Sequence, residues 1–179
     1  MILNHEIVTQ NLVIKSLNLK NFNKSYSSWL NDKDVNQYLE SRFEKHSTQS
    51  VKEFITRCYK AKNSVLLGIF YKKNNLHIGN IKIDNINKFH DKAEIGIMIG
   101  DKKYWNKNIA TEAIIAVTKM CFNHLRISAL FAGCYDCNKG SYKAFIKAGW
   151  KKNCAIKNNW KYKNKLINGI ILSVHKKKN

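Results

Sequence analysis

The stretch Tyr104-Trp105-Asn106-Lys107-Asn108-Ile109-Ala110-Thr111-Glu112-Ala113 carries the residues best placed to hold an anion. It follows an apolar run, must turn sharply and precedes a helical pattern. The first helical amides therefore lack internal partners, and the helix adds the positive end of its dipole. Such a terminus is a site for phosphate. Glycine is usual in loops of this kind because the main chain must approach the phosphate at positive φ, and asparagine is the next best residue there. Asn106 and Asn108 thus keep the shape at a conformational cost. On these residues alone the stretch also reads as the capped start of a core helix, with Asn108 or Thr111 as the cap.

Proton transfer needs carboxylates or hydroxyls in reach of a ligand. Of the twelve carboxylates, Glu6, Asp32, Asp34, Glu53, Asp84, Asp91, Asp101 and Asp136 fall at expected termini, turns or exposed helix surface. Glu40, Glu44, Glu94 and Glu112 remain, and Glu112 is expected to bond the first turn of its own helix. Glu40 and Glu44 share the charged stretch LESRFEKH with Arg42 and His46. Cys121-x-x-His124 followed by Cys134-x-x-Cys137 has the spacing of a zinc site. The first pair lies on an expected helix and the second spans a buried strand and its turn, so no metal is expected. Five cysteines, an odd number in a chain where no secretory signal is expected, suit reduced thiols.

The elements that must position these groups alternate along the chain. Residues 11–17 alternate as a half-buried strand, and 21–30 and 35–39 carry aromatic and aliphatic residues at helical spacing. Residues 50–62 read as a helix opened by Ser47 or Ser50, with Glu53 three residues after Ser50. Three β-favouring runs follow at 65–71, 77–83 and 93–99, joined by a turn at 72–75 and a longer loop at 84–92. A helix over 111–125, a buried strand over 129–135, a short helix over 139–147 ended by Gly149 and a last strand over 167–174 complete the pattern. An antiparallel set followed by a strand-helix-strand crossover argues for a mixed α/β sheet flanked by helices, in one domain spanning residues 1–179.

The formal net charge is +20, which draws anionic ligands. Only three of the 32 basic residues are arginine (Arg42, Arg57 and Arg126), proline is absent, and nucleotide bias in an AT-rich genome would produce the same profile. The lysines are scattered except for the tail from His175 to Lys178, so RNA or DNA is not the expected substrate. The start MILNHEIVTQN is too short in apolar residues for a secretory signal and no run reaches a membrane span, so a cytoplasmic protein without a membrane partner is expected.

The order of motifs resembles the GNAT superfamily of acyl-CoA N-acyltransferases, in particular the branch with ribosomal-protein N-terminal acetyltransferases. That branch has a loop of the form aromatic-Trp-Gly-x-Gly-x-Ala-Thr-Glu-Ala, and both glycines are asparagine here. The resemblance continues in Ala93-Glu94-Ile95-Gly96-Ile97, in Asn138-x-x-Ser141 and Lys147-Ala148-Gly149-Trp150, and in Thr9 to Ile14 and Trp29 to Val35, so it spans nearly the whole chain.

The resemblance implies an open mixed sheet with two splayed parallel strands that take acetyl-CoA as co-substrate. The pantetheine arm would bond Ile97, Met98 and Ile99, and the diphosphate would sit on Trp105, Asn106, Lys107, Asn108, Ile109, Ala110 and Thr111, with Asn138 holding cofactor or helix start. Ser141 is implied as the acid, because the tyrosine used by many members is Phe145 here, and Glu94 as the base. Glu40, Arg42 and Glu44 fall where the family shapes its acceptor pocket. The expected acceptor is a small-molecule primary amine, such as a nucleotide-linked amino sugar. The alternatives are a protein N-terminus and a non-catalytic RNA- or ribosome-binding module that keeps the fold. Nothing in the sequence sets the oligomeric state.

Overall fold

The computed structural model describes residues 2–177; Lys178 of the basic tail lies outside the described residues. Among the described residues eight strands form one sheet: β1 (Ile7–Val8), β2 (Leu12–Ser16), β3 (Val65–Tyr71), β4 (Leu76–Asn87), β5 (Lys92–Ile99), β6 (Ala129–Tyr135), β7 (Lys151–Tyr162) and β8 (Lys165–His175). Their spatial order is β1-β2-β3-β4-β5-β6-β8-β7. Every neighbouring pair is antiparallel except β5 and β6. A parallel pair needs a crossover, and here α4 (Ile109–Asn123) supplies it. The other helices are α1 (Tyr26–Asn31), α2 (Lys33–Asn36), α3 (Thr48–Lys60) and α5 (Lys139–Lys147), with 3-10 turns at Glu40–Phe43 and Lys102–Tyr104.

Two cores cover the sheet. One joins β2–β6 and β8 to α4, Phe145 and Trp150, and the other joins Leu17, Leu66 and Phe70 to α1, α2 and α3. The mixed, helix-flanked sheet read from the sequence is therefore present. Ser47 caps α3 and the Ser50 hydroxyl closes the box by bonding the Ser47 main chain, while Glu53 takes a bond from Gln49 instead (2.9 Å).

Three local readings need correction. Residues 18–25 are turns, where the Asn18 side chain bonds the amides of Lys20 and Asn21; such local bonds compete with a helix. Strand β4 runs on to Asn87, so the turn before β5 is four residues, 88–91. Strand β7 has no counterpart in the sequence reading, because its lysines and asparagines hide any alternation. It is the sheet's edge, where charge guards against pairing with another chain. Among the described residues no helix is long and apolar enough to cross a membrane.

Candidate active site

Strands β5 and β6 pair only through Lys92↔Ala129, Ala93↔Leu130 and Glu94↔Phe131. Beyond that point β5 keeps β4 as a partner and β6 keeps β8, as far as Ile99 and Tyr135. Their facing edges part, so main-chain donors and acceptors there are left for a ligand. Side-chain burial marks which face is open. On β5, Ala93 and Ile95 are buried but Glu94 and Gly96 are exposed, although the strand is fifth of eight. Gly133 on β6 is exposed as well. A Cβ on Gly96 would meet nothing within 4 Å, so the floor beside Glu94 is open space. Asp84 lies across from Glu94, and its charge is matched by Lys82 at 2.6 Å.

The loop after β5 borders this gap. Asn106 and Asn108 both adopt φ 57°, the left-handed conformation that glycine would take there. Asn108 is the N-cap of α4, yet its side chain makes no capping bond; its Oδ1 accepts from Lys147 Nζ at 3.2 Å. The first-turn amides of Ile109, Ala110 and Thr111 therefore have no side-chain cap, the condition for binding an anion. Trp105 turns inward, donating from Nε1 to Ile99 O at 2.8 Å and packing in the second core. Its ring is thus turned away from the loop's outer surface, and the Ile109 side chain is buried as well. Lys103 and Lys107 are exposed beside the loop.

Glu112 holds the loop from behind, though not by bonding its own helix as expected. Its carboxylate accepts from Thr9 Oγ1 (2.6 Å), Asn11 N (2.7 Å) and Asn11 Nδ2 (2.9 Å), tying α4 to the β1–β2 turn. Burial alone would raise this carboxyl, but the bonds from Asn11 and Thr9 outweigh it and leave the pKa below the ordinary value.

On the other side of the gap, residues 37–43 are clasped to β6 and the β7–β8 hairpin. Tyr135 donates to Glu40 Oε1 at 2.5 Å, and Tyr162 donates to Gln37 Oε1 at 2.9 Å. The Tyr38 and Tyr162 rings stack at 5.4 Å, and Trp160 lies 5.0 Å from Tyr135. Burial pushes the Tyr38 phenol up to about 12, with Tyr162 adding to the rise. Arg42 is already engaged, donating to Leu39 O and Lys161 O at 2.7 Å each while its guanidinium covers Phe43 and Tyr135. Glu44 is exposed. No role for Tyr38, Tyr135, Trp160 or Tyr162 was legible in the sequence, since their partners are distant along the chain.

Helix α5 starts at the open end of β6. The Asn138 side chain accepts from Ser141 N at 3.1 Å, which makes Asn138 the helix cap and leaves the half-buried Ser141 hydroxyl without a bond among the described residues. Phe145 is core, packed at 4.8 Å on Trp150. Cys121 and Cys134 are buried, and burial pushes their thiols up to about 12 and about 11. Among the described residues no group of three or more His, Cys, Asp or Glu is disposed to hold a metal ion.

Comparison with known proteins agrees with this geometry. Among curated proteins no sequence matches the chain. Solved structures share the fold at low identity. A GNAT-family acetyltransferase from Bacillus anthracis superposes with a TM-score of 0.82 at 22% identity, covering 96% of this chain and 98% of that one. A spermidine N-acetyltransferase from Vibrio cholerae, in complex with CoA and spermine, gives 0.82 at 14% identity over 93% and 96%. A ribosomal-protein-S5-alanine acetyltransferase from Vibrio fischeri gives 0.80 at 14% over 96% and 97%. The family model for the acetyltransferase (GNAT) domain matches residues 11–151, from β2 through the splayed strands and the asparagine loop to the start of β7, and the chain belongs to that family of N-acetyltransferases.

Proposed function

We propose that the chain transfers an acetyl group from acetyl-CoA to a primary amine of a small molecule, with a nucleotide-linked amino sugar as acceptor. The observation that carries this reading is the parting of β5 from β6 after Glu94 and Phe131, with two left-handed asparagines at its mouth. These features fit acetyl-CoA. Main chain at Ile97, Met98 and Ile99 would meet the pantetheine amides, and residues 105–111 the diphosphate, with Lys103 and Lys107 adding charge. When bound, acetyl-CoA supplies an acyl group activated as a thioester.

The chain's own residues must supply a neutral amine, a polarised carbonyl and a proton for the departing thiolate. A main-chain N–H among Ile97, Met98 and Ile99 serves the carbonyl. Ser141, held by Asn138 through its amide, keeps its hydroxyl to donate the proton. Glu94, exposed on the open floor, takes the amine proton directly or through water. Glu40 and Glu44 border the acceptor side, whereas Arg42 shapes its wall because its fork is spent on carbonyls. The charge of +20 favours a phosphate-bearing acceptor.

The test is thermal melting followed by an acceptor screen. Acetyl-CoA at 100 times its dissociation constant should add about 2.7 kcal/mol, and amino sugars should then release free thiol from it. A melt that acetyl-CoA leaves unmoved and RNA shifts would favour the non-catalytic module. A protein N-terminus as acceptor is the second reading, supported by the twelve lysines and no carboxylate after Asp136, which would suit an RNA-rich particle. Including a short peptide in the screen decides between the two.

A further inference from the structure

Trp160 lies against bare main chain on the sheet beside the gap. A Cβ on Gly133 of β6 would stand 3.1 Å from its Cη2, and one on Gly169 of β8 2.5 Å from its Cζ3. Any side chain at Gly169 would lift the indole off the sheet. The ring is held there by a break in the hairpin's register. Between Ile156↔Gly169 and Trp160↔Ile167, β7 places residues 157–159 against Asn168 alone. Asn158 within this bulge takes a left-handed φ of 47°, and its N–H is bonded by Asn168 Oδ1 at 3.2 Å. A bulge pinned in this way re-aims the side chain that follows it. The half-buried indole then extends the row of Tyr135, Tyr38 and Tyr162 next to the exposed Gly133.

Resting on the reading of this gap as the acceptor site, we infer that Trp160 is a specificity-determining residue, a stacking platform for a ring of the acceptor. The substrate class is then a ring-bearing amine, such as a pyranose amino sugar, and neither a linear polyamine nor a peptide terminus. Indole offers a broad flat face that suits the apolar face of a sugar or a base. A linear polycation needs carboxylates in series. The β7–β8 hairpin that carries Trp160 supplies none. Glu40 is tied to Tyr135 and paired with Arg42 at 3.6 Å, Asp84 is matched by Lys82 at 2.6 Å, and Glu94 is the residue assigned to the amine proton, which leaves Glu44 by itself on the acceptor side.

Steady-state kinetics of the wild type, Trp160→Leu and Trp160→Phe would test this. The probes are 2-, 3- and 4-amino hexoses, free and as uridine diphosphate conjugates, with spermidine and an alanyl tripeptide, and acetyl-CoA melting is measured on each protein. The wild type should prefer a ring-bearing amine. Trp160→Leu should raise KM for it about tenfold with kcat within about twofold, Trp160→Phe should recover most of the loss, and acetyl-CoA stabilisation should stay the same. If Trp160→Leu does not fold, a rise in KM of about threefold in Trp160→Phe carries the same test. Equal KM in wild type and variants, or a wild type that takes spermidine or the tripeptide and no ring-bearing amine, overturns the inference alone. A wild type that acetyl-CoA does not stabilise overturns the acyl-transfer reading and this inference with it.

Discussion

The loop at residues 105–111 and the clasp between residues 37–43 and the β7–β8 hairpin border the same gap by different means. At the loop, the groups left without a side-chain cap are main-chain amides, and side chains such as Trp105 and Glu112 hold the backbone in place. At the clasp, the contacts run through side chains, from Tyr135 to Glu40 and from Tyr162 to Gln37. A site made of main chain survives replacement of glycine by any residue that reaches the same φ, which asparagine does at positions 106 and 108. A site made of side chains has no such tolerance. On the proposed reading, the end assigned to the common co-substrate can therefore look like its relatives while the end assigned to the acceptor differs.

The largest effect is expected between the two ends. Ser141→Ala should lower turnover about 10²-fold while leaving acetyl-CoA affinity unchanged, as single-turnover and melting measurements would read; full activity would remove the acid from α5. Next comes the support behind the loop. Glu112→Ala should cost about 2 kcal/mol in urea unfolding at pH 7, through three lost bonds to the β1–β2 turn. Because this carboxyl titrates lower in the folded chain, its stabilisation is complete above the ordinary carboxylate value of about 4. It is lost as pH falls through the lower folded value. The variant should lack that part of the acid dependence, and an identical pH profile would mean that the turn does not brace the loop.

A smaller effect separates backbone from side chain at the loop itself. Asn108→Val should cost about 1–3 kcal/mol at a left-handed position and weaken acetyl-CoA binding, whereas Asn108→Gly should keep the binding. Equal losses from the two would show that the Asn108 side chain, with its bond from Lys147, matters more than its φ. The smallest effect belongs to the clasp. Tyr162→Phe removes the bond to Gln37 and should cost about 1 kcal/mol or less. It should leave the acetyl-CoA melt shift intact and raise acceptor KM, and a changed melt shift would couple the two ends that the comparison keeps apart.

Most of the scaffold was legible because its signals are local. Ser47 and Ser50 open α3, continuous apolar residues make β3, and Asn106 and Asn108 take the positive φ expected of them. Strand β7 was not legible, since an edge strand buries little and its lysines and asparagines carry no alternation. The clasp was hidden for another reason. Trp160 and Tyr162 read as aromatics among lysines until the hairpin brings them beside residues 37–43.

By itself the sequence determined the order of most elements, the left-handed turns at Asn106 and Asn108 and the family's motifs, since each depends on residues a few positions apart. Only the tertiary structure decided where β5 and β6 part, that Glu112 braces a turn more than 100 residues away, and that Arg42 is spent on the carbonyl of Lys161. Those outcomes are contacts between distant segments, and which side chains meet there is set by sheet register and helix packing, which no short stretch of chain encodes.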